Sequence, residues 1–185
     1  MSFQKSVTFW SASSQWLLAG LLATAVRNAP ATDFSFESAG ARYGLAGNQS
    51  GHDFNQVEAF ADWNLPWGWD LAPQWRLQSR LEASAGWLGD GKDAAIGTLG
   101  PNLVLRREPF PLSLVGGLSP TMLSEHAFWS KDFGINFQFT SHIGVNCDVG
   151  WHTRLGYRFQ HMSNAGFGSR NPGLNLHIFA VSYIF

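Results

Sequence analysis

His161 and Ser163 are the two side chains in this sequence whose types and spacing best suit nucleophilic chemistry. Residues two apart in a β-strand project to the same face, so a hydroxyl at Ser163 would lie within reach of the His161 imidazole. A serine hydroxyl becomes a useful nucleophile only when a base removes its proton, and histidine is the side chain suited to that exchange near neutral pH. The pair therefore predicts a serine-type hydrolase site.

A third residue is needed to orient the imidazole, and Asn175 is the predicted one. If the intervening turn is centred near Ser169, Ser163 pairs across from Asn175 and His161 lies diagonal to it. An amide in this position holds the ring but stabilises imidazolium less than a carboxylate would. His177 lies on the same predicted face and is the alternative orienter, although an interfacial role suits it better.

The residues after Ser163 could supply donors to a developing oxyanion. The Asn164-Ala165-Gly166 turn offers backbone N–H groups, and the side chain of Asn164 or Asn171 would assist. A His-x-Ser spacing alone is a weak motif, because such pairs are common on an aqueous rim. Two polar groups on an otherwise apolar strand face are less common. If that face contacts membrane lipid, they favour a functional role.

Segments of about ten residues, separated by Gly, Pro, Asn and Asp, follow one another from Phe34 to the C-terminus and are typical of barrel strands. The eight predicted strands span residues 35–47, 55–66, 75–88, 95–107, 111–122, 133–147, 149–163 and 174–185. Within them apolar and polar residues alternate with a period of two, as in a strand with two different faces. His161 and Ser163 continue the apolar face of the seventh segment, after Tyr157 and Phe159.

Alternation alone does not separate a membrane barrel from a soluble, lipocalin-like binder with an apolar interior. Only 14% of the residues are charged, against about 25% in a typical soluble protein. The chain also contains nine Trp and fifteen Phe, and its end alternates Phe179, Val181, Tyr183 and Phe185, as the assembly signal of outer-membrane barrels does. The sequence therefore predicts an all-β fold, an eight-stranded antiparallel transmembrane β-barrel, and leaves the soluble binder as the alternative.

The first residues resemble an export signal. Lys5 precedes an apolar core over residues 16–23, and either Ala29-Pro30-Ala31 or Ala23-Thr24-Ala25 offers a cleavage site. We favour cleavage after Ala31, so we expect a signal peptide over 1–31 and a barrel over 32–185. A membrane-anchoring helix is the competing interpretation, but the apolar core is short for one. The net charge of −1, without a basic run, argues against nucleic acid as a partner.

Eight strands enclose too little space for a wide channel, so we expect a plugged interior and no pore. The inward faces carry charged residues of both signs, which would pair with one another inside the barrel. This predicted interior set consists of Glu58, Asp62, Arg76, Arg80, Glu82 and Arg158.

The C-terminal part of the chain resembles the PagL family of outer-membrane lipid A 3-O-deacylases. The residues that carry the resemblance are Phe159-Gln160-His161-Met162-Ser163-Asn164-Ala165-Gly166, Asn171-Pro172-Gly173-Leu174-Asn175 and Tyr183-Ile184-Phe185. The resemblance implies that Ser163 is the nucleophile and His161 its base. It also marks a departure, because the best-known family pattern has a glutamate where this sequence has Asn175. A Ser-His-Asn site would work by analogy with Cys-His-Asn arrangements.

The resemblance further implies a bacterial outer-membrane location and lipopolysaccharide, through its lipid A, as the substrate. Tyr157, Phe159 and Phe179 would then contact the acyl chains, and neither a cofactor nor a metal is expected. The partners we expect are lipid A and the lipid of the outer membrane, with a homodimer left open. The competing function is a structural or adhesive barrel without enzymatic activity.

Overall fold

Eight antiparallel strands close into a barrel in the computed structural model, which describes residues 27–28, 33–46 and 54–185. The described residues contain a short strand, β1 (Arg27–Asn28), and the eight barrel strands β2 (Ser35–Ala46), β3 (Asn55–Ala72), β4 (Trp75–Gly89), β5 (Asp93–Arg107), β6 (Leu112–Leu123), β7 (Phe137–Gly150), β8 (Thr153–Ser163) and β9 (Leu174–Ile184). Strands β2 to β9 pair in sequence order, and β9 pairs with β2 to close the ring. The short β1 pairs with β3 at Trp69 and Asp70. Of the predicted signal peptide, all but Arg27 and Asn28 lies outside the described residues.

The predicted barrel with eight strands is confirmed, and the largest differences from the predicted boundaries lie in β3, β7 and β8. β3 extends to Ala72, because pairing with β4 resumes at Gly68 after an irregularity. β7 begins at Phe137 because the residues before it fold into the preceding loop. The turn between β7 and β8 falls later than predicted and is made by Trp151 and His152, both with positive φ.

Apolar side chains cover the outside of the barrel, and this contradicts the lipocalin-like alternative. Examples are Leu103, Ile143 and Leu155, which are exposed, whereas their strand neighbours Asn102, His142 and Arg154 are buried. Short turns lie at one end of the barrel and longer loops, including residues 124–136 and 164–173, lie at the other. This is the pattern of outer-membrane barrels, with periplasmic turns and extracellular loops. Within the described residues, no helix is long and apolar enough to cross a membrane.

The interior has two different halves. Beneath the long loops lies an apolar cluster, consisting of Phe54, Leu88, Ala94, Ile96, Leu123, Phe128, Phe133, Met162, Leu174, Leu176 and Ile178. Below it lies a charged network centred on Glu82. The Arg42 guanidinium donates to Glu58 at 2.5 Å and to Glu82 at 2.6 Å, and Arg158 donates to Glu82 at 3.1 Å. The predicted internal pairing of charges is present for Glu58, Glu82 and Arg158, and Arg80 pairs instead with Glu37. Asp62 and Arg76 form no ion pair with a described residue.

Candidate active site

The last two outward positions of β8 are His161 and Ser163, at the long-loop end of the barrel. The expected pairing of Ser163 with Asn175 is wrong by two residues, because His161 itself lies directly opposite Asn175. The loop is centred at residue 168 instead of 169, and moving a hairpin centre by one residue moves each partner by two. Asn175 is therefore a direct neighbour of the imidazole.

The His161 imidazole is held by Asn175. Its Nδ1 lies 2.7 Å from the Asn175 Oδ1, an amide oxygen that only accepts hydrogen bonds, so Nδ1 carries the proton. This tautomer leaves Nε2 with a free lone pair, the state that a general base needs. His177 does not compete for the ring, because its own Nδ1 lies 2.8 Å from the Tyr157 hydroxyl.

Ser163 lies on the same face as His161 and is half-buried. In the described residues no hydrogen bond joins its hydroxyl to the imidazole, and catalytic hydrogen bonds are often longer before substrate binds. On the neighbouring strand, Ser141 lies opposite His161 and Phe139 lies opposite Ser163. A second serine, Ser141, therefore lies beside the same histidine. The site as a whole is on the outer face of the barrel wall. No three His, Cys, Asp or Glu side chains of the described residues are grouped as metal ligands would be.

Gly173 packs against the imidazole, a contact that the sequence did not predict. It has a φ of +62°, and a Cβ added there would lie 3.0 Å from the Cε1 of His161. A side chain at this position would strain the backbone and press on the ring. Gly173 therefore limits where the His161 ring can lie.

The loop after Ser163 is fixed by Asn164, which is fully buried. Its Nδ2 donates to the carbonyl oxygens of Phe133 and Arg170, at 2.9 and 2.6 Å. Its Oδ1 accepts from the N–H of Gly166, and its own N–H donates to the Asn171 Oδ1. These hydrogen bonds hold the turn together. In this conformation the backbone N–H groups of Asn164 and Gly166 are therefore not free to donate to an oxyanion, contrary to the prediction.

Asn171 is the predicted side-chain donor that stays available, and the backbone N–H of Ala165 likewise makes no hydrogen bond to a described residue. The Asn171 Oδ1 accepts the N–H of Asn164, at 3.1 Å, and the Asn171 Nδ2 makes no hydrogen bond to the described residues. This hydrogen bond restrains the amide oxygen and leaves the amide nitrogen available as a donor. Of the two predicted side-chain donors, Asn164 and Asn171, Asn171 therefore fits the role better.

The loop over residues 124–136 packs against the loop over 164–173, and sequence reasoning missed this contact. Lys131 donates to the Gly173 carbonyl oxygen at 2.8 Å, and Arg170 pairs with Asp132 at 2.8 Å. The N–H of Gly134 and the ring of His126 lower the pKa of the Asp132 carboxyl, which favours its ionised, pairing form. Loops lack the periodicity of strands, so the sequence contains no pattern that predicts this contact. The one available signal is the pair of turn-forming residues Asp132 and Gly134.

Aromatic rings extend from the site along the outer wall. Of the predicted substrate contacts, Tyr157 and Phe179 lie with their ring centroids 5.4 Å apart, and Phe159 lies edge-on to His177. All three are exposed on the lipid-facing side. A second group, not predicted, adjoins Ser163 on its other side and consists of Phe137, Phe139 and Phe167.

A family model described as "Lipid A 3-O-deacylase (PagL)" matches residues 55–184. A curated relative from Bordetella bronchiseptica, named lipid A deacylase PagL, is 38% identical over 69 residues, a stretch that covers 37% of this chain and 39% of that protein. Two solved structures are similar in fold. The crystal structure of the outer membrane enzyme PagL has a TM-score of 0.70 at 18% identity, covering 79% of this chain and 98% of that one. Neisserial surface protein A has a TM-score of 0.52 at 13% identity, covering 84% of this chain and 99% of that one.

Proposed function

This chain belongs to the PagL family, whose model is described as lipid A 3-O-deacylase, and we propose that it is a serine hydrolase that removes the ester-linked acyl chain at the 3 position of lipid A. The observation that carries the proposal is the 2.7 Å contact between His161 and Asn175, beside Ser163 on the lipid-facing wall. It supplies a nucleophile and an oriented base where acyl chains meet the barrel. The matched residues 55–184 include all three side chains.

In the first step, the Ser163 Oγ attacks the carbonyl carbon of the acyl ester while the Nε2 of His161 takes the hydroxyl proton. The Nδ1–H group keeps its proton and goes on donating to the Asn175 Oδ1, so imidazolium forms in a fixed orientation. The tetrahedral oxyanion would accept a hydrogen bond from the Nδ2 of Asn171. When the carbon–oxygen bond to the sugar breaks, imidazolium returns the proton to the departing sugar hydroxyl.

In the second step, water replaces the sugar. His161 takes a proton from the water, the resulting hydroxide attacks the acyl-enzyme, and the fatty acid leaves as Ser163 regains its proton. Asn175 holds the ring through both proton transfers, since the same nitrogen serves as base and then as acid. The reaction needs no electron donor and consumes one water for each ester bond.

The protein acts in the outer leaflet of the outer membrane. The site lies at the long-loop end of the barrel, which is extracellular in barrels of this type. The headgroups of lipopolysaccharide lie at that level, with their acyl chains beside the rings of Tyr157, Phe159 and Phe179. A site on the outer wall thus receives a lipid that never leaves the bilayer.

The test uses purified, folded protein incubated with lipopolysaccharide and a mass spectrum of the lipid A. We expect loss of the single acyl chain at the 3 position, abolished by Ser163→Ala and by His161→Ala. Electrophoretic mobility before and after heating checks that each variant is folded. Unchanged lipid A with a folded wild-type barrel would overturn the proposal and favour a structural or adhesive role.

A further inference from the structure

The described residues at the extracellular end carry three lysine or arginine side chains, Lys92, Lys131 and Arg170. Two of them have a carboxylate partner: Lys92 pairs with Glu125 at 3.0 Å and Arg170 pairs with Asp132 at 2.8 Å. Lys131 forms no ion pair with a described residue. It is therefore the one described cation of the rim whose charge no carboxylate balances.

Lys92 is a rim lysine whose charge is balanced by a carboxylate, and it serves as a comparison for Lys131. Its Nζ donates to a backbone carbonyl oxygen, that of Ala127, and also to Glu125, each at 3.0 Å. Lys131 makes only the first kind of contact, to the Gly173 carbonyl at 2.8 Å. An ammonium group has three donors, so at least one N–H of Lys131 is left to a ligand.

The Lys131 ammonium is fixed next to the proposed active site. Its acceptor, Gly173, is the residue that packs against the His161 ring, where a Cβ would lie 3.0 Å from Cε1. Lys131 is half-buried, and this burial lowers the pKa of its ammonium, with no counter-ion to offset it. A bound anion would relieve that cost, because it would supply the missing opposite charge.

We propose that Lys131 is an anion subsite that binds the phosphate of the lipid A sugar whose ester faces Ser163. This inference rests on the proposed function and names how the same site recognises its substrate. In lipid A the acylated 3 position and the phosphorylated 1 position belong to one glucosamine ring. Lys131 is hydrogen-bonded to Gly173, and Gly173 packs against His161, so a phosphate on the sugar whose ester reaches Ser163 would approach this ammonium.

Charge-assisted hydrogen bonds from an ammonium to phosphate are stronger than neutral ones, and here the cation is already partly desolvated. The subsite would place the sugar ring, and thereby select one ester among the several that lipid A carries. Lys131 is thus assigned to substrate binding and specificity, and the chemical step is left to Ser163 and His161.

Two substitutions separate this role from a purely structural one. Lys131→Gln removes the charge but keeps an N–H donor for the Gly173 carbonyl, whereas Lys131→Met removes both. Lys92→Gln is the matched control, since it removes a rim lysine that is already paired with Glu125. All are compared on lipid A with both phosphates and on lipid A from which the 1-phosphate has been removed.

Affinity is measured in the Ser163→Ala background with lipid A in mixed micelles, so that the result does not depend on turnover. We expect Lys131→Gln to weaken binding of the doubly phosphorylated lipid about ten-fold. It should leave binding of the 1-dephosphorylated lipid unchanged, and Lys92→Gln should change neither.

Equal losses with both lipids in Lys131→Gln would overturn the subsite and assign Lys131 to holding Gly173. Unchanged affinity for both lipids would overturn it as well. The two proposals fail in different assays. If the proposed function is wrong, the wild-type protein leaves lipid A intact in the deacylation assay. The affinity comparison in the Ser163→Ala background still tests Lys131 independently of that result.

Discussion

The barrel holds polar side chains in two settings that differ in how completely they are paired. Inside, Glu82 accepts hydrogen bonds from Arg42, Arg158 and Asn102, and the network is enclosed by the wall. Outside, His161 has one partner, Asn175, and Ser163 has none among the described residues. The Glu82 carboxylate is fully engaged, although Arg158 Nε and Asn102 Oδ1 beside it are buried without a hydrogen bond to a described residue. A paired carboxylate of this kind stabilises the fold, whereas a polar group left with unused capacity beside lipid is available to a substrate. The comparison predicts that the interior controls stability and the outer site controls turnover.

The largest effect on stability is expected from Glu82→Gln. Removing this charge leaves the buried guanidinium of Arg42 partly unpaired, and breaking one partner of a buried pair costs about 3–5 kcal/mol. Urea unfolding in detergent micelles, followed by Trp fluorescence, measures the loss. Turnover of the protein that remains folded should match the wild type.

Glu125→Gln is the matched control, because Glu125 pairs with Lys92 in an exposed ion pair on the rim. Exposed pairs contribute little, so its unfolding midpoint should not move. If Glu82→Gln and Glu125→Gln unfolded alike, the interior network would not be what stabilises the barrel. If Glu82→Gln instead lost turnover while folded, the separation of the two regions would fail.

Asn175→Ala tests whether the residue that orients His161 controls turnover in the outer site. Without the acceptor for Nδ1, neither the orientation of the His161 ring nor its tautomer is fixed. Turnover should therefore fall by about ten- to a hundred-fold, with little change in the free energy of unfolding. Asn175→Glu should preserve or raise turnover, because a carboxylate also accepts from Nδ1 and stabilises imidazolium better. Initial rates of lipid A deacylation give both numbers, and equal rates in all three proteins would remove Asn175 from the site.

A smaller effect is expected from Gly173→Ala. The positive φ costs an alanine about 1–2 kcal/mol, and the added Cβ also presses on the His161 ring. Gly150→Ala is the control, since Gly150 has a φ of +87° but no atom within 4 Å of an added Cβ. Both variants should lose some stability, while only Gly173→Ala should lose turnover, by several-fold. Equal turnover in the two would show that the contact with the ring does not matter.

The period-two pattern predicted the strands, their faces and the lipid-facing position of His161 and Ser163. It reports which face a residue lies on, but not its exact partner across the sheet. The register between β8 and β9 is set by the hairpin that Asn164 holds with side-chain hydrogen bonds, and such bonds leave no periodic signal. The expected pairing was consequently wrong by two residues, although Asn175 was the right neighbour.

Two other features could not be predicted from the sequence, for related reasons. The apolar half of the interior, with Phe54 and Phe133, includes residues outside the strands whose burial depends on where the loops fold. The contact of Lys131 with Gly173 joins two loops that are 42 residues apart in the chain. Neither feature has a local pattern, so only the closed barrel brings these residues together.

The most direct test of the central claim is to find the serine that reacts. Folded protein would be treated with a lipid-like fluorophosphonate, which modifies serines activated by a neighbouring base, and the modified peptide would be identified by mass spectrometry. We predict a single adduct on Ser163 that is lost in His161→Ala. An adduct on Ser141, which lies opposite His161 on β7, or no adduct in protein that deacylates lipid A, would contradict the account.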